Sequence, residues 1–336
     1  RDRLRSRGLG DVYKRQMYTD DIQKLVEIAK LYYIEHMTQD KISKIFSMSR
    51  SAISVCLTEA KKMGIVNIQV LDPSENNQEL GKIMEDTFGL RKCIVVPNAT
   101  YSQEVLTRVV TSQAVRYAVD LMKDHSCIGI SWGTACYEFM HSFPKDSNLC
   151  DITVVPLIGI SPLLTREYQL NESVRMFADK LRGNPIFIYS PGIVQDVSDK
   201  QRVLESSYMK PILERWDNMD MAVVGIGTTQ GRSELRQYDC EGLSVHEEIM
   251  ANRDIPVGDV CGRLFNIDGK SVEEEYNNKL IGVDERMLRK VGNVMAIAAG
   301  PSKCVPIIGA LRTGLIHYLA TDENTVIQLL ELMKLL

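Results

Sequence analysis

Residues Thr38–Ser54 read TQDKISKIFSMSRSAIS. Thr38 and Ser49 each stand just ahead of a run whose apolar residues recur at helical spacing, and Ser or Thr oxygens in that place accept first-turn N–H groups. The string predicts a short helix with Ile42, Ile45 and Phe46 inward, and a second from Ser49 to about Met63 with Ile53, Leu57 and Ala60 inward. Met48 fills the turn between them. The face left outward carries Arg50, Ser51, Ser54, Thr58, Lys61 and Lys62, which are donors suited to phosphates and base edges.

Working outward, Ile22, Leu25, Val26, Ala29, Tyr32 and Tyr33 fall at steps of three and four, so Asp20–His36 reads as an amphipathic helix. Gly64 ends the third helix, after which Val66, Ile68 and Val70 alternate with Asn67 and Gln69 as in a half-buried strand. Three helices with a tight turn between the last two, followed by a strand, is the layout of a winged helix-turn-helix. The expected DNA contacts are Thr38 and Gln39 at one helix start and Ser49, Arg50, Ser51, Ser54 and Lys61 on the next. A three-helix protein-interaction module shares this layout. Residues 17–70 hold seven Lys/Arg against six Asp/Glu, so charge does not decide; the register of caps, turn and outward polar groups favours DNA.

The whole chain has 336 residues, 44% hydrophobic and 25% charged, which excludes disorder and collagen and suggests about two domains. Its formal charge of −4 confines any nucleic-acid contact to one locally basic face. No apolar run approaches the roughly 18 residues of a membrane span, and no secretory signal pattern opens the chain, so a cytoplasmic protein without membrane partners is expected. Eight scattered cysteines with no CxxC argue against zinc and against a disulfide scaffold; neither metal nor cofactor is expected. Asp11–Gln16 reads DVYKRQ, which one frame of a common sequencing transposase adaptor encodes, directly before Met17. Residues 1–16 are therefore set aside as an adaptor-derived segment. Residues 17–72 form the head, 73–78 a linker and 79–336 the body.

In the body, candidate strands Cys93–Val96, Cys127–Ile130, Thr153–Ile158, Ile186–Tyr189, Met221–Ile226, Val294–Ala298 and Leu315–Ala320 alternate with helical stretches at Gln103–Lys123, Asn171–Arg182, Glu241–Met250, Pro301–Arg312 and Asp322–Leu336. That alternation implies a mostly parallel α/β sheet covered on both faces, with ligands at the carboxyl ends of its strands. Two glycine loops sit at such ends, GISWGTACYEF at Gly129–Phe139 and VGIGTTQG at Val224–Gly231. In each, glycine, Gly227 among them, admits a ligand close to the backbone, and Thr134, or Thr228 and Thr229, adds a hydroxyl just ahead of a helix start that attracts anions. Glycine at a strand-to-helix turn serves tight packing equally often. Lys303, in AAGPSKC, stands in the first turn of a helix, where the dipole disfavours a cation unless an anion offsets it. Asp259 and Arg263, in GDVCGRLFNIDG, either pair with each other or face a polyol.

The ordered set of a winged head followed by GISWG, VGIG, GD-CGR-F, AAG--K, ALR-GLI and TDE resembles the SorC family of sugar-binding transcriptional regulators over essentially Met17–Leu336. The resemblance implies a tetrameric DNA-binding regulator of a carbohydrate operon, with an effector domain related to the sugar-phosphate isomerase and deaminase fold and a sugar phosphate as effector. It places the phosphate on Gly133, Thr134 and Ala135, the polyol on Asp259, a second anion contact on Lys303, and a further contact on Asn171. Arg312 matches the ALR string but reads equally well as a structural cation at a helix end. Many members carry a second Thr where this chain has Ala135, and a basic residue where it has Val55. The first departure removes a hydroxyl donor, worth roughly 1.5–3 kcal/mol to a charged ligand. The second lowers phosphate affinity at the DNA.

The alternative is a sugar-phosphate isomerase or deaminase carrying an interaction module. None of the five histidines lies in the glycine loops, and no acid–base dyad is legible, so no catalytic residue is assigned. A metabolite-sensing scaffold without DNA is a third reading, resting on Val55.

Overall fold

The structure, a computed structural model, describes residues 22–66, 77–97, 102–145, 149–161, 169–229, 249 and 252–334. The chain divides into two compact units with the boundary between Pro73 and Ser74.

In the first unit, α1 (22–33) precedes α2 (Gln39–Ile45) and α3 (Arg50–Lys62). The Ser49 hydroxyl accepts from the Ala52 N–H at 3.1 Å, and Thr38 accepts from Lys41 at 3.4 Å, so both caps stand where the sequence sets them. Ile42, Ile53, Leu57 and Ala60 are buried as expected, and Phe46 and Met48 pack against them. Two positions differ. Ile28, absent from the expected stripe, is the fully buried residue of α1, whereas Ile45 is 57% exposed. The stripe through Ile42 and Phe46, four residues apart, faces the other helices and leaves Ile45 to one side. Ser47 takes a left-handed φ of 52° in the turn, and Gly64 one of 72° after α3. The strand expected over 66–70, the linker 73–78 and the helix expected at Glu241–Met250 fall almost wholly outside the described residues.

The second unit runs α4 (Gln78–Phe88), β1 (Lys92–Val96), α5 (Gln103–Leu121), β2 (Cys127–Ile130), α6 (Thr134–Ser142), β3 (Thr153–Pro156), α7 (Leu170–Lys180) and β4 (Asn184–Pro185). It continues through α8 (Val197–Glu205), α9 (Lys210–Asp217), β5 (Met221–Gly225), β6 (Gly227–Thr228), β7 (Gly258–Val260) and β8 (Arg263–Phe265). Then come α10 (Glu274–Asn277), α11 (Glu285–Lys290), β9 (Asn293–Ile297), a 3-10 turn (Pro301–Lys303), α12 (Cys304–Arg312), β10 (Tyr318–Asp322) and α13 (Glu323–Met333).

Seven strands form one parallel sheet in the order β1-β10-β9-β5-β2-β3-β4. Alternation splits their side chains between two cores: Cys93, Val95, Ala222, Val224, Val294 and Ala296 on one face, Ile94, Ile128, Ile130, Val223, Met295 and Ile297 on the other. The fold class thus matches the expectation, while two strands shift. The strand expected at Ile186–Tyr189 lies earlier, as the two-residue edge strand β4, where Asn184 and Ile186 donate to Ile152 and Val154 and the Pro185 nitrogen, which has no N–H, faces the open edge. The one expected at Leu315–Ala320 starts later, since Gly314 turns at φ 68° and brings His317 beside β9.

His317 accepts the Val294 N–H on Nδ1 at 3.1 Å, a bond only the neutral ring can make. Burial, and then the nearby Arg91, lower its pKa from 6.5. The folded state therefore binds this proton less readily than the unfolded chain. The stability His317 contributes is complete above about pH 6.5 and is lost as pH falls through its lowered folded value. Urea unfolding between pH 7 and 5 is expected to show a downward slope that His317→Gln flattens; an unchanged slope would assign the acid sensitivity elsewhere.

Candidate functional site

The order of the large sheet fixes where a ligand can lie. From β2 the chain winds outward through β3 to β4, whereas from β5, on the other side of β2, it leads away through β9 to β10, which pairs with the first strand, β1. Connections that depart in opposite directions leave a crevice outside the carboxyl ends of the two central strands, β2 and β5. A cavity of about 860 Å³ occupies that place. It is lined by the segments that leave β2 (Ser131–Ala135), β5 (Gly225–Gly227) and β9 (Ala298–Ala299).

α6 starts on the β2 side. Gly133, at φ 108°, caps it without any side-chain hydrogen bond, so the N–H groups of its first turn have no capping side chain. Thr134 and Ala135, the first residues of the helix, line the cavity. Across it stands Lys303, at the end of the 3-10 turn and at the cap position of α12. Its ammonium donates to the Ile226 carbonyl at 2.7 Å, which holds the lysine over the end of β5 rather than out in solvent.

The polar counterpart is Asp259. β6, β7 and β8 form a small antiparallel sheet in which Gly227 pairs with Asp259, so the strand after the second glycine loop brings this carboxylate to the cavity. Cys261 and Gly262, at φ 52° and 78°, make the two-residue turn between β7 and β8, a conformation hairpins favour. Asp259 is 3% exposed and accepts the Gly262 N–H at 3.0 Å.

Of the residues singled out in the sequence, the structure brings Gly133, Thr134, Ala135, Gly227, Asp259 and Lys303 together in one cavity. Asn171 and Thr228 are not among its lining. Asn171 is committed elsewhere: its amide donates to the Ile188 carbonyl at 2.8 Å and accepts the Ile188 N–H at 3.1 Å. It thereby pairs the Ile188 backbone just beyond β4. Thr228 lies in β6, paired with Gly258. Arg263 donates to the carbonyls of Asn277, Gly282 and Val283, which is a structural role. Arg312 likewise donates to the Ile267 carbonyl.

Gln103, Trp132 and Tyr276 also line the cavity and were missed. Gln103 donates to the Ala299 carbonyl at 2.9 Å and joins the start of α5 to the loop after β9. Trp132 lay within the GISWG string, and an aromatic beside the cavity glycine Gly133 was a signal to take it. Cys261 is buried at the cavity wall with its thiol pushed up to about 12, so it stays protonated. Among the described residues no group of His, Cys, Asp or Glu could hold a metal ion.

In the head, Ser49 and Thr38 use their hydroxyls in capping, Arg50 lies 3.9 Å from Asp40, and the Lys61 ammonium sits 5.8 Å above the Tyr33 ring. Arg50, Ser51, Ser54, Val55 and Lys61 are exposed on α3, opposite Ile53, Leu57 and Ala60.

The family model of a sugar-binding domain, Sugar-bind, matches residues 72–331. The chain belongs to the SorC family of sugar-binding transcriptional regulators. It is 27% identical over 314 residues to the sorbitol operon regulator of Klebsiella pneumoniae, covering 93% of this chain and 99% of that one. It is 28% identical over 304 residues to the deoxyribonucleoside regulator of Bacillus subtilis, covering 90% and 96%. The crystal structure of the full-length Klebsiella SorC matches with a TM-score of 0.69 over 92% of this chain and 99% of that one. This SorC-family chain is accordingly a sugar-responsive transcriptional regulator, and no helix among its described residues is long and apolar enough to cross a membrane.

Proposed function

We propose that the protein regulates a carbohydrate-metabolism operon in the cytoplasm, that it binds operator DNA as a homo-tetramer, and that a sugar phosphate controls it. The observation that carries the reading is the pairing, across one crevice at the sheet's switch point, of an uncapped helix start at Gly133 with the Lys303 ammonium. First-turn N–H groups and a cation together suit a phosphate, and Asp259 on the third side suits sugar hydroxyls. Relatives named for sorbitol and for deoxyribonucleosides support a small polyol or pentose as the carbon skeleton. The domain limits 17–72 and 79–336 fit this division of labour. The same site residues, Gly133, Thr134, Ala135, Gly227, Asp259 and Lys303, are assigned to the effector.

The test is a thermal-shift comparison of sorbitol 6-phosphate and 2-deoxyribose 5-phosphate with their unphosphorylated sugars, followed by release of DNA selected from a random duplex pool. A rise confined to the phosphates, accompanied by a change in DNA affinity, is the expected result. Stabilisation by free sugars alone overturns the anion site, and steady conversion of the sugar phosphate identifies an enzyme.

Val55 gives a prediction for the head. It is 61% exposed on the outward face of α3, among Ser51, Ser54 and Thr58. Val55→Arg adds a cation beside the DNA backbone. Each added phosphate contact is expected to steepen the fall of log K with log salt by about 0.9. Affinity measured from low to moderate salt checks it; an unchanged slope means this face of α3 does not meet the phosphates.

A further inference from the structure

We propose that Asp322 and Glu323, adjacent at the junction of β10 and α13, tie occupancy of the effector crevice to the point where the chain from the head enters the body. The proposal rests on the reading of the crevice given above and adds the route by which it is read out.

One side of the junction holds the loop that carries Lys303 to the crevice. Asp322 is 3% exposed; its Oδ2 accepts the Gly300 N–H at 2.9 Å and its Oδ1 accepts the Thr325 N–H at 3.0 Å. The Thr325 hydroxyl donates to Asp322 and accepts the same Gly300 N–H at 2.8 Å. Gly300 is the residue on which the Lys303 turn hangs, at φ 102°. An added Cβ there would stand 2.2 Å from Gln103 Oε1. Backbone and neighbour thus leave this loop little freedom, and a buried carboxylate and hydroxyl both hold it.

The other side faces the chain that arrives from the head. The Glu323 carboxylate accepts from the Asn77 side-chain amide at 2.7 Å, across 246 residues of sequence. Asn77 is the cap of α4, the first helix after the linker: its Oδ1 accepts the Leu80 N–H and its own N–H donates to the Val95 carbonyl. Capping needs only Oδ1, so the bond to Glu323 is an additional tie. The junction is itself fixed in the sheet, since Asp322 stands opposite Val96 in the β1–β10 register. A displacement of the Lys303 turn by a phosphate is borne on Asp322 and lies one peptide bond from the group that holds Asn77.

Hydrogen exchange on the full chain tests this, with inorganic phosphate as the probe. In the wild type, phosphate is expected to slow exchange in the first turn of α6, in the Lys303 turn and in the first turn of α4. Asn77→Asp keeps a capping oxygen but sets a carboxylate against Glu323, and Glu323→Ala removes the acceptor. Both variants are expected to keep the response at α6 and lose it at α4. In a second arm without phosphate, Asp322→Asn is expected to speed exchange at both Gly300 and the first turn of α4 by about fivefold, the size of one ordinary hydrogen bond. Protection at α4 that survives in both tie variants overturns the proposal, as does a response to Asp322→Asn confined to the Gly300 loop. Absence of protection at α6 overturns the anion site instead and leaves the second arm to decide the tie.

Discussion

Lys303→Ala is expected to remove most of the stabilisation that a sugar phosphate, the proposed effector, gives the protein. A ligand at about 100 times its dissociation constant raises stability by about 2.7 kcal/mol. Hydrogen bonds to a charged group contribute roughly 1.5–3 kcal/mol, so losing the ammonium weakens binding roughly ten- to a hundredfold. At the same concentration the rise then falls to about 0.4–1.4 kcal/mol. The ligand-free variant also loses the Lys303 bond to the Ile226 carbonyl, so the quantity to compare is the ligand-induced change and not the melting temperature itself. Lys303→Arg keeps the charge and is expected to retain part of the response. If Lys303→Ala responds to sugar phosphates as the wild type does, Lys303 does not contact the phosphate, and the pairing of the α6 start with this cation is overturned.

The head was legible because its information is local. Caps at Thr38 and Ser49 and the apolar positions of α3 lie within a few residues of the helices they define, and all appear as read. The errors came where only packing decides. Ile28 and Ile45 fit their stripes about equally well by spacing, yet the first is wholly buried and the second 57% exposed. Which edge of a stripe turns inward depends on the neighbouring helices, and the string of letters does not carry that.

In the body, alternation gave the parallel sheet, but the strand order sets the site and the order is not written locally. The two glycine loops are 95 residues apart, as Gly129 and Val224 show, and meet because β2 and β5 pair side by side. Asn171 shows the limit of reading roles from residue type. A polar residue opening a helix after a strand looks like a ligand contact, and here it pairs the Ile188 backbone just beyond the edge strand β4. Gln103 shows the converse: it reads as an ordinary first-turn residue and becomes a cavity wall only through its bond to Ala299.

Arg263 carries the largest expected effect on stability. Its sequence setting left open a bridge to Asp259 or a place beside a polyol, and its guanidinium instead donates to three backbone carbonyls, those of Val283 at 2.6 Å and of Asn277 and Gly282 at 3.2 Å. Burial lowers its pKa, an effect that nearby Asp284 opposes, and an arginine remains charged regardless. Arg263→Met fills similar space but leaves the Gly282 and Val283 carbonyls without this donor, each at a cost of about 1–3 kcal/mol, while the Asn277 carbonyl keeps the Leu280 N–H at 3.4 Å. A loss of roughly 3 kcal/mol or more is expected, read as a shift in the urea midpoint at constant slope. Arg263→Lys can serve one carbonyl at a time and is expected to fall between the two. The same segment holds Val283 on Leu157 and Ile281 on Gly192, and it begins beside Tyr276 at the cavity wall. Loss of Arg263 therefore loosens one side of the crevice as well as the fold, and effector affinity in Arg263→Met is expected to fall with stability. A variant that unfolds more easily yet binds a sugar phosphate with unchanged affinity would show that the 277–283 wall supports the body without shaping the site.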